Sequence, residues 1–98
     1  MKLEECRKEI DHVDTWIVAL LNRRAALVRE IGAIKAAAGL PVVDWQREAK
    51  VLEGLVAANE GTIDDKALVR IYRAVLLECR QIQVQMNEEA EAEGVLAQ

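Results

Sequence analysis

The 98-residue sequence contains no phenylalanine, and its 3% aromatic content consists of Trp16, Trp45 and Tyr72. A core must therefore be filled by interlocking aliphatic side chains, which the 52% apolar content supplies. Histidine is equally scarce. His12 stands alone among polar positions with no neighbour suited to a catalytic pair, so it reads as a surface residue. The two cysteines, Cys6 and Cys79, lack any metal-ligand spacing and fall within helical patterns, which favours free thiols in a reducing compartment. No stretch reads as a signal peptide, a transmembrane span or a low-complexity tract, so a cytoplasmic chain with no membrane partner is expected. The formal charge of −4 argues against a broad nucleic-acid footprint. The cations that matter should be the few that interrupt apolar patterns.

What is present is helical. Written in heptads, Leu3, Ile10, Ile17 and Ile31 share one position, and Cys6, Val13, Leu20, Leu27 and Ile34 share another. They predict one helix from about Leu3 to Ala38, stopped by Gly39 and by Pro41, the only proline. Asp44 is a suitable N-cap for a second helix with Glu48 in its first turn and Val51, Leu52, Leu55 and Val56 on one face. Asn59 and Gly61 end it. Thr62 or Asp64 caps a third helix reaching roughly Glu91, striped by Leu68, Ile71, Val75, Leu76, Cys79, Ile82 and Met86, with a frayed tail beyond. With no internal repeat and no dividing linker, residues 1–98 are expected to form one all-α domain of three helices. A helix of about 37 residues is roughly 55 Å long, whereas a compact domain of this size has a radius of gyration of about 12 to 13 Å. One copy cannot cover it, which predicts an intertwined helical homodimer with a shared core.

Arg24 occupies the first heptad column, where an unpaired charge is costly unless it meets an anion. That anion is either an internal acid, such as Asp14 or a neighbouring glutamate, or a ligand. Lys35 lies eleven residues on, which at 100° per residue returns to about the same direction three turns away. Arg7 lies roughly 25 Å from Arg24 along the axis and cannot join the same pocket within its own chain. It is either solvated or contributed to a partner's pocket. Asp44, Arg47 and Glu48 occupy i, i+3 and i+4, a spacing that also describes an ordinary exposed charge pair. Gln83 sits one turn after Cys79 beside an apolar stripe, where an amide needs partners from protein or ligand. Trp16 reads as packing, and Trp45 as packing or as a roof over a pocket entrance.

In order, these residues resemble one family, the all-helical chorismate mutases. The match runs through an Arg followed by I-D-x-V-D at Arg7 to Asp14, L-L-N-R-R at Leu20 to Arg24 and I-G-x-I-K at Ile31 to Lys35. It continues with P-V-V-D-W-Q-R-E at Pro41 to Glu48 and C-R-Q-I-Q at Cys79 to Gln83. Each string alone is weak, and the ordered series is strong. The resemblance implies an enzyme that converts chorismate to prephenate by an intramolecular Claisen rearrangement, without cofactor or metal, on the route to phenylalanine and tyrosine. It implies that Arg7 from the other subunit and Arg24 grip the substrate carboxylates. Lys35 and Gln83 would donate hydrogen bonds to the ether oxygen, Arg47 would reinforce the cationic wall, and Glu48 and the backbone near Asp44 would hold the ring hydroxyl. Cys79 stands where the family usually has serine, which weakens one hydrogen bond to a carboxylate. The rival functions are isochorismate pyruvate lyase, which looks like the same fold, and a non-catalytic helical dimerisation or regulatory module. A complex with another enzyme of the aromatic pathway is a further partner the resemblance implies.

Overall fold

The computed structural model describes residues 1–97, which form α1 (Leu3–Ala37), α2 (Trp45–Ala58) and α3 (Asp65–Ala97), with no strand among the described residues. Helix α1 ends in a Schellman motif. Gly39, at φ +68°, donates to Ala36 O at 3.2 Å, and Leu40 donates to Lys35 O at 2.8 Å. This left-handed position suits the residue without a Cβ. Pro41 then prevents a return to helix. Asp44 caps α2 by accepting from the Arg47 amide at 3.0 Å, and Asp64 caps α3 by accepting from the Ala67 amide at 2.7 Å. Between the two, Asn59 staples the turn, donating to Ile63 O and Asp65 Oδ1 and accepting from Gly61 N.

One boundary differs from expectation. Helix α3 does not end near Glu91 but continues to Ala97, and Gln98 lies outside the described residues. Ala90 to Glu93 are strong helix formers, and a lone glycine such as Gly94 costs only about 1 kcal/mol relative to alanine. A helix can outrun its apolar stripe.

Helices α1 and α2 each pack on α3 and not on one another. The result is long and open: the body measures 63 × 28 × 16 Å with a radius of gyration of 17.6 Å. Only Val28 and Leu76 are buried apolar side chains among the described residues. On α1, Val28 and Gly32 are buried against α3, and a Cβ at Gly32 would stand 3.2 Å from Gln83 Cγ and 3.4 Å from Met86 Sδ. The absence of a side chain there is what lets the two long helices approach. The heptad columns, by contrast, lie open: Ile10, Val13, Ile17, Leu20, Leu27, Ile31 and Ile34 are all exposed.

Candidate active site

The end of α1, the start of α2 and the middle of α3 line an open cavity of about 290 Å³. Its floor and sides are aliphatic: Leu27, Val28 and Ile31 from α1, Val42 from the connection, Val51 from α2 and Leu76 from α3. Set into them are Arg24, Lys35, Asp44, Arg47, Glu48, Cys79, Arg80 and Gln83. Four cations and two carboxylates leave a net positive wall, suited to an anion larger than a single carboxylate.

Arg24 is held from two directions. Its Nε donates to Tyr72 Oη at 3.1 Å, its Nη1 donates to Cys79 Sγ at 3.0 Å, and its guanidinium carbon lies 5.5 Å from the Tyr72 ring centroid. No acid takes part. Of the two ion pairs among the described residues, one joins Arg7 to Glu4 and the other Arg80 to Glu48. Burial, the largest single influence on Arg24, works against its charge, but electrostatic attraction and hydrogen bonding to Tyr72 and Cys79 outweigh it and raise its pKa above the ordinary guanidinium value. A guanidinium carries five N–H donors, so three remain unspent here.

Lys35 Nζ donates to Val42 O at 2.9 Å, which aims the ammonium across the connection and leaves two N–H groups free. Gln83 is buried, and its Nε2 donates to the Val28 carbonyl at 3.2 Å, leaving one amide hydrogen. Asp44 is committed to the α2 cap, and its carbonyl accepts from the Glu48 amide at 3.1 Å. Arg47 brings its side chain to the cavity from the first turn of α2. Seven of the eight residues singled out in the sequence therefore face one space. The eighth, Arg7, does not: it is exposed near the far end of α1, paired with Glu4 at 2.9 Å.

Two residues at the site carry no role in the sequence pattern. Tyr72 precedes Cys79 by seven residues on α3, so both share a face, and that spacing could have marked the tyrosine as the arginine's partner. Arg80 lies within the C-R-Q-I-Q string but is not distinguished by it. Its guanidinium carbon lies over the Trp45 ring, 4.9 Å from the centroid, so the indole covers an arginine at the rim of the cavity.

Comparison with known proteins decides the family. A sequence profile described as chorismate mutase type II matches residues 6–84. The chain belongs to that family. The bifunctional chorismate mutase/prephenate dehydratase of Aquifex aeolicus is 40% identical over 86 residues, 84% of this chain and 24% of that protein. The chorismate mutase of Methanocaldococcus jannaschii is 29% identical over 91 residues, 92% of each. The present chain thus spans about a quarter of the bifunctional relative and nearly all of the other. Among solved structures, form II of the chorismate mutase of Thermus thermophilus superposes with a TM-score of 0.82 at 31% identity, covering 85% of this chain and 94% of that one. The all-helical fold is the family's.

Proposed function

We propose that this type II chorismate mutase chain converts chorismate to prephenate, and that its functional unit is a homodimer. The observation that carries the reading is the convergence of unspent donors from Arg24, Lys35 and Gln83 on one aliphatic cavity in which no acid neutralises Arg24. The reaction is unimolecular: the ether C–O bond breaks as a C–C bond forms, and no nucleophile or proton transfer is required. An enzyme can accelerate it by holding the enolpyruvyl chain folded over the ring and by stabilising negative charge on the ether oxygen.

The guanidinium of Arg24 grips one carboxylate in a planar paired geometry. Lys35 and the second Nε2 hydrogen of Gln83 donate to the ether oxygen. Arg47 adds positive potential, Glu48 and the Asp44 backbone take the ring hydroxyl, and Cys79 lies against Arg24 beside the carboxylate. Arg7 of a second copy supplies the remaining cation. The uncovered heptad face of α1 supports the dimer, as does a cavity whose walls include the half-exposed Leu27 and Ile31. Burying that face against itself would supply the core that one chain lacks.

The free thiols of Cys6 and Cys79 fit a reducing compartment, and a cytoplasmic setting is proposed on that basis. No helix among the described residues is long and apolar enough to cross a membrane. Fusion of this domain to prephenate dehydratase in the Aquifex protein supports a working partnership with another aromatic-pathway enzyme.

The test is prephenate formation from chorismate by the purified protein, run beside pyruvate release from isochorismate. Prephenate without pyruvate is expected. Pyruvate without prephenate would assign the lyase reaction instead, and neither product, with no dicarboxylate raising the melting temperature, would leave a non-catalytic module.

A further inference from the structure

Arg80 is the cavity-lining cation to which the proposed chemistry gives no task. It projects from α3 one turn before Gln83, and its Nε lies 3.0 Å from Glu48 Oε2 on α2. That Nε is buried and the approach lacks hydrogen-bond alignment, so the attraction between the two groups is coulombic. Both side chains are largely withdrawn from water, at 28% and 19% exposure, where a pair is screened far less than at a surface. Trp45 completes the arrangement by lying against the guanidinium.

Glu48 needs such a restraint. Helix α2 has no fully buried residue and packs on α3 alone, and the ion pair with Arg80 is the one charged restraint on the Glu48 carboxylate among the described residues. Arg47, its neighbour in sequence, forms no ion pair with it among the described residues. A loose carboxylate beside a doubly anionic ligand would also repel it. We propose that Arg80 is a positioning residue that fixes Glu48, with Trp45 stacked on it as a clamp, so that the carboxylate presents an acceptor to a substrate hydroxyl rather than a repulsive charge to its carboxylates. The inference rests on the chorismate mutase reading of the cavity. It assigns Arg80 an effect on turnover that passes through Glu48, and Trp45 a role in holding Arg80 flat.

A double-mutant cycle tests it. In wild type, Arg80→Met, Glu48→Gln and the double variant, steady-state kinetics are measured beside thermal melts. Arg80→Met keeps the aliphatic reach and is expected to lower kcat/KM about tenfold, mainly through KM, while the same change in the Glu48→Gln background alters it less than about twofold. Arg80→Lys, which keeps charge but not the planar stack, should recover part of the loss. Multiplicative losses would show that Arg80 acts independently of Glu48 and overturn the proposal, as would an unchanged kcat/KM in Arg80→Met.

A second readout does not depend on turnover. With Trp16→Phe leaving Trp45 as the sole tryptophan, Glu48→Gln should shift Trp45 emission when Arg80 is present and leave it unmoved in Arg80→Met. Equal shifts in both backgrounds would break the link. A wild-type protein that makes no prephenate but shows the coupled emission would refute the function and leave the Arg80–Glu48 connection standing.

Discussion

The two halves of α1 share one heptad pattern and meet opposite fates. From Arg24 to Lys35 the helix lies against α3, with Val28 and Gly32 buried and two cations held by named partners. From Leu3 to Leu21 its apolar side chains are largely uncovered: Leu3, Ile10, Val13, Ile17, Leu20 and Leu21 are all exposed. Apart from the part-buried Arg24, the residues buried in the second half are not those of the heptad columns, either. They are Val28 and Gly32 on an adjacent face, where the missing side chain of Gly32 lets Gln83 and Met86 of α3 close in. A seven-residue repeat therefore says that a helix has an apolar seam without saying which chain fills it. Here the seam is what the chain leaves over after folding on itself.

The sharpest way to break this comparison is to place a charge in the uncovered half. Leu20 does not line the cavity, yet in the proposed dimer Leu20→Asp would bury an unpaired carboxylate at a cost of several kcal/mol. Loss of the dimer in analytical ultracentrifugation and near-complete loss of turnover are expected. A variant that sediments and reacts like wild type would make the first half of α1 a free surface.

Within the covered half the expected effects fall on the chemical step. Lys35→Ala or Gln83→Ala should each lower kcat by about 10²- to 10³-fold, the typical consequence of removing one preorganised donor. Thermal melts should move little for Lys35→Ala, because it makes a single internal hydrogen bond, to the part-buried Val42 carbonyl, whose loss costs only about 1 kcal/mol. Equal turnover in either variant would remove that residue from the ether-oxygen contact.

Joining the halves is a smaller effect but a more specific one. Chains carrying Arg7→Ala and chains carrying Lys35→Ala should each be nearly inactive. Once they exchange subunits, about half of the dimers are mixed, and each of these holds one site free of both lesions. Activity should return to about a quarter of wild type by this counting. No recovery after demonstrated exchange would mean that each pocket is built from one chain.

Much of this could be read from residues alone, and the reasons for the rest are physical. Helix ends were legible where a cap or a breaker enforces them, at Gly39, Asp44 and Asp64. The end of α3 was not, because alanine and glutamate extend a helix that no longer has a face to bury. The cavity residues stood out because charge in an apolar column is costly and therefore informative. Tyr72 carries only an indirect signal, the face it shares with Cys79, and Arg80 carries none, because its importance lies in Glu48, a partner distant in sequence on another helix. Gly32 escaped because a packing surface made by a missing side chain leaves no mark in an apolar stripe.

The smallest expected effect concerns Cys79, where covered and chemical roles meet in one atom. Its Sγ accepts from Arg24 Nη1 at 3.0 Å and so shares with Tyr72 the task of orienting the guanidinium. Sulfur is a weak acceptor and the S–H a weak donor, whereas a hydroxyl is good at both and smaller. Cys79→Ser should thus keep the hold on Arg24 and add a stronger donor toward a bound carboxylate, at the expense of slightly looser packing along α3. Turnover within about twofold of wild type, or above it, is expected, with a lower KM if the new donor reaches the substrate. A fall of more than about tenfold would run against hydrogen bonding that is kept or strengthened at this position. It would mean that the bulk of the thiol, rather than its polarity, sets the position of Arg24.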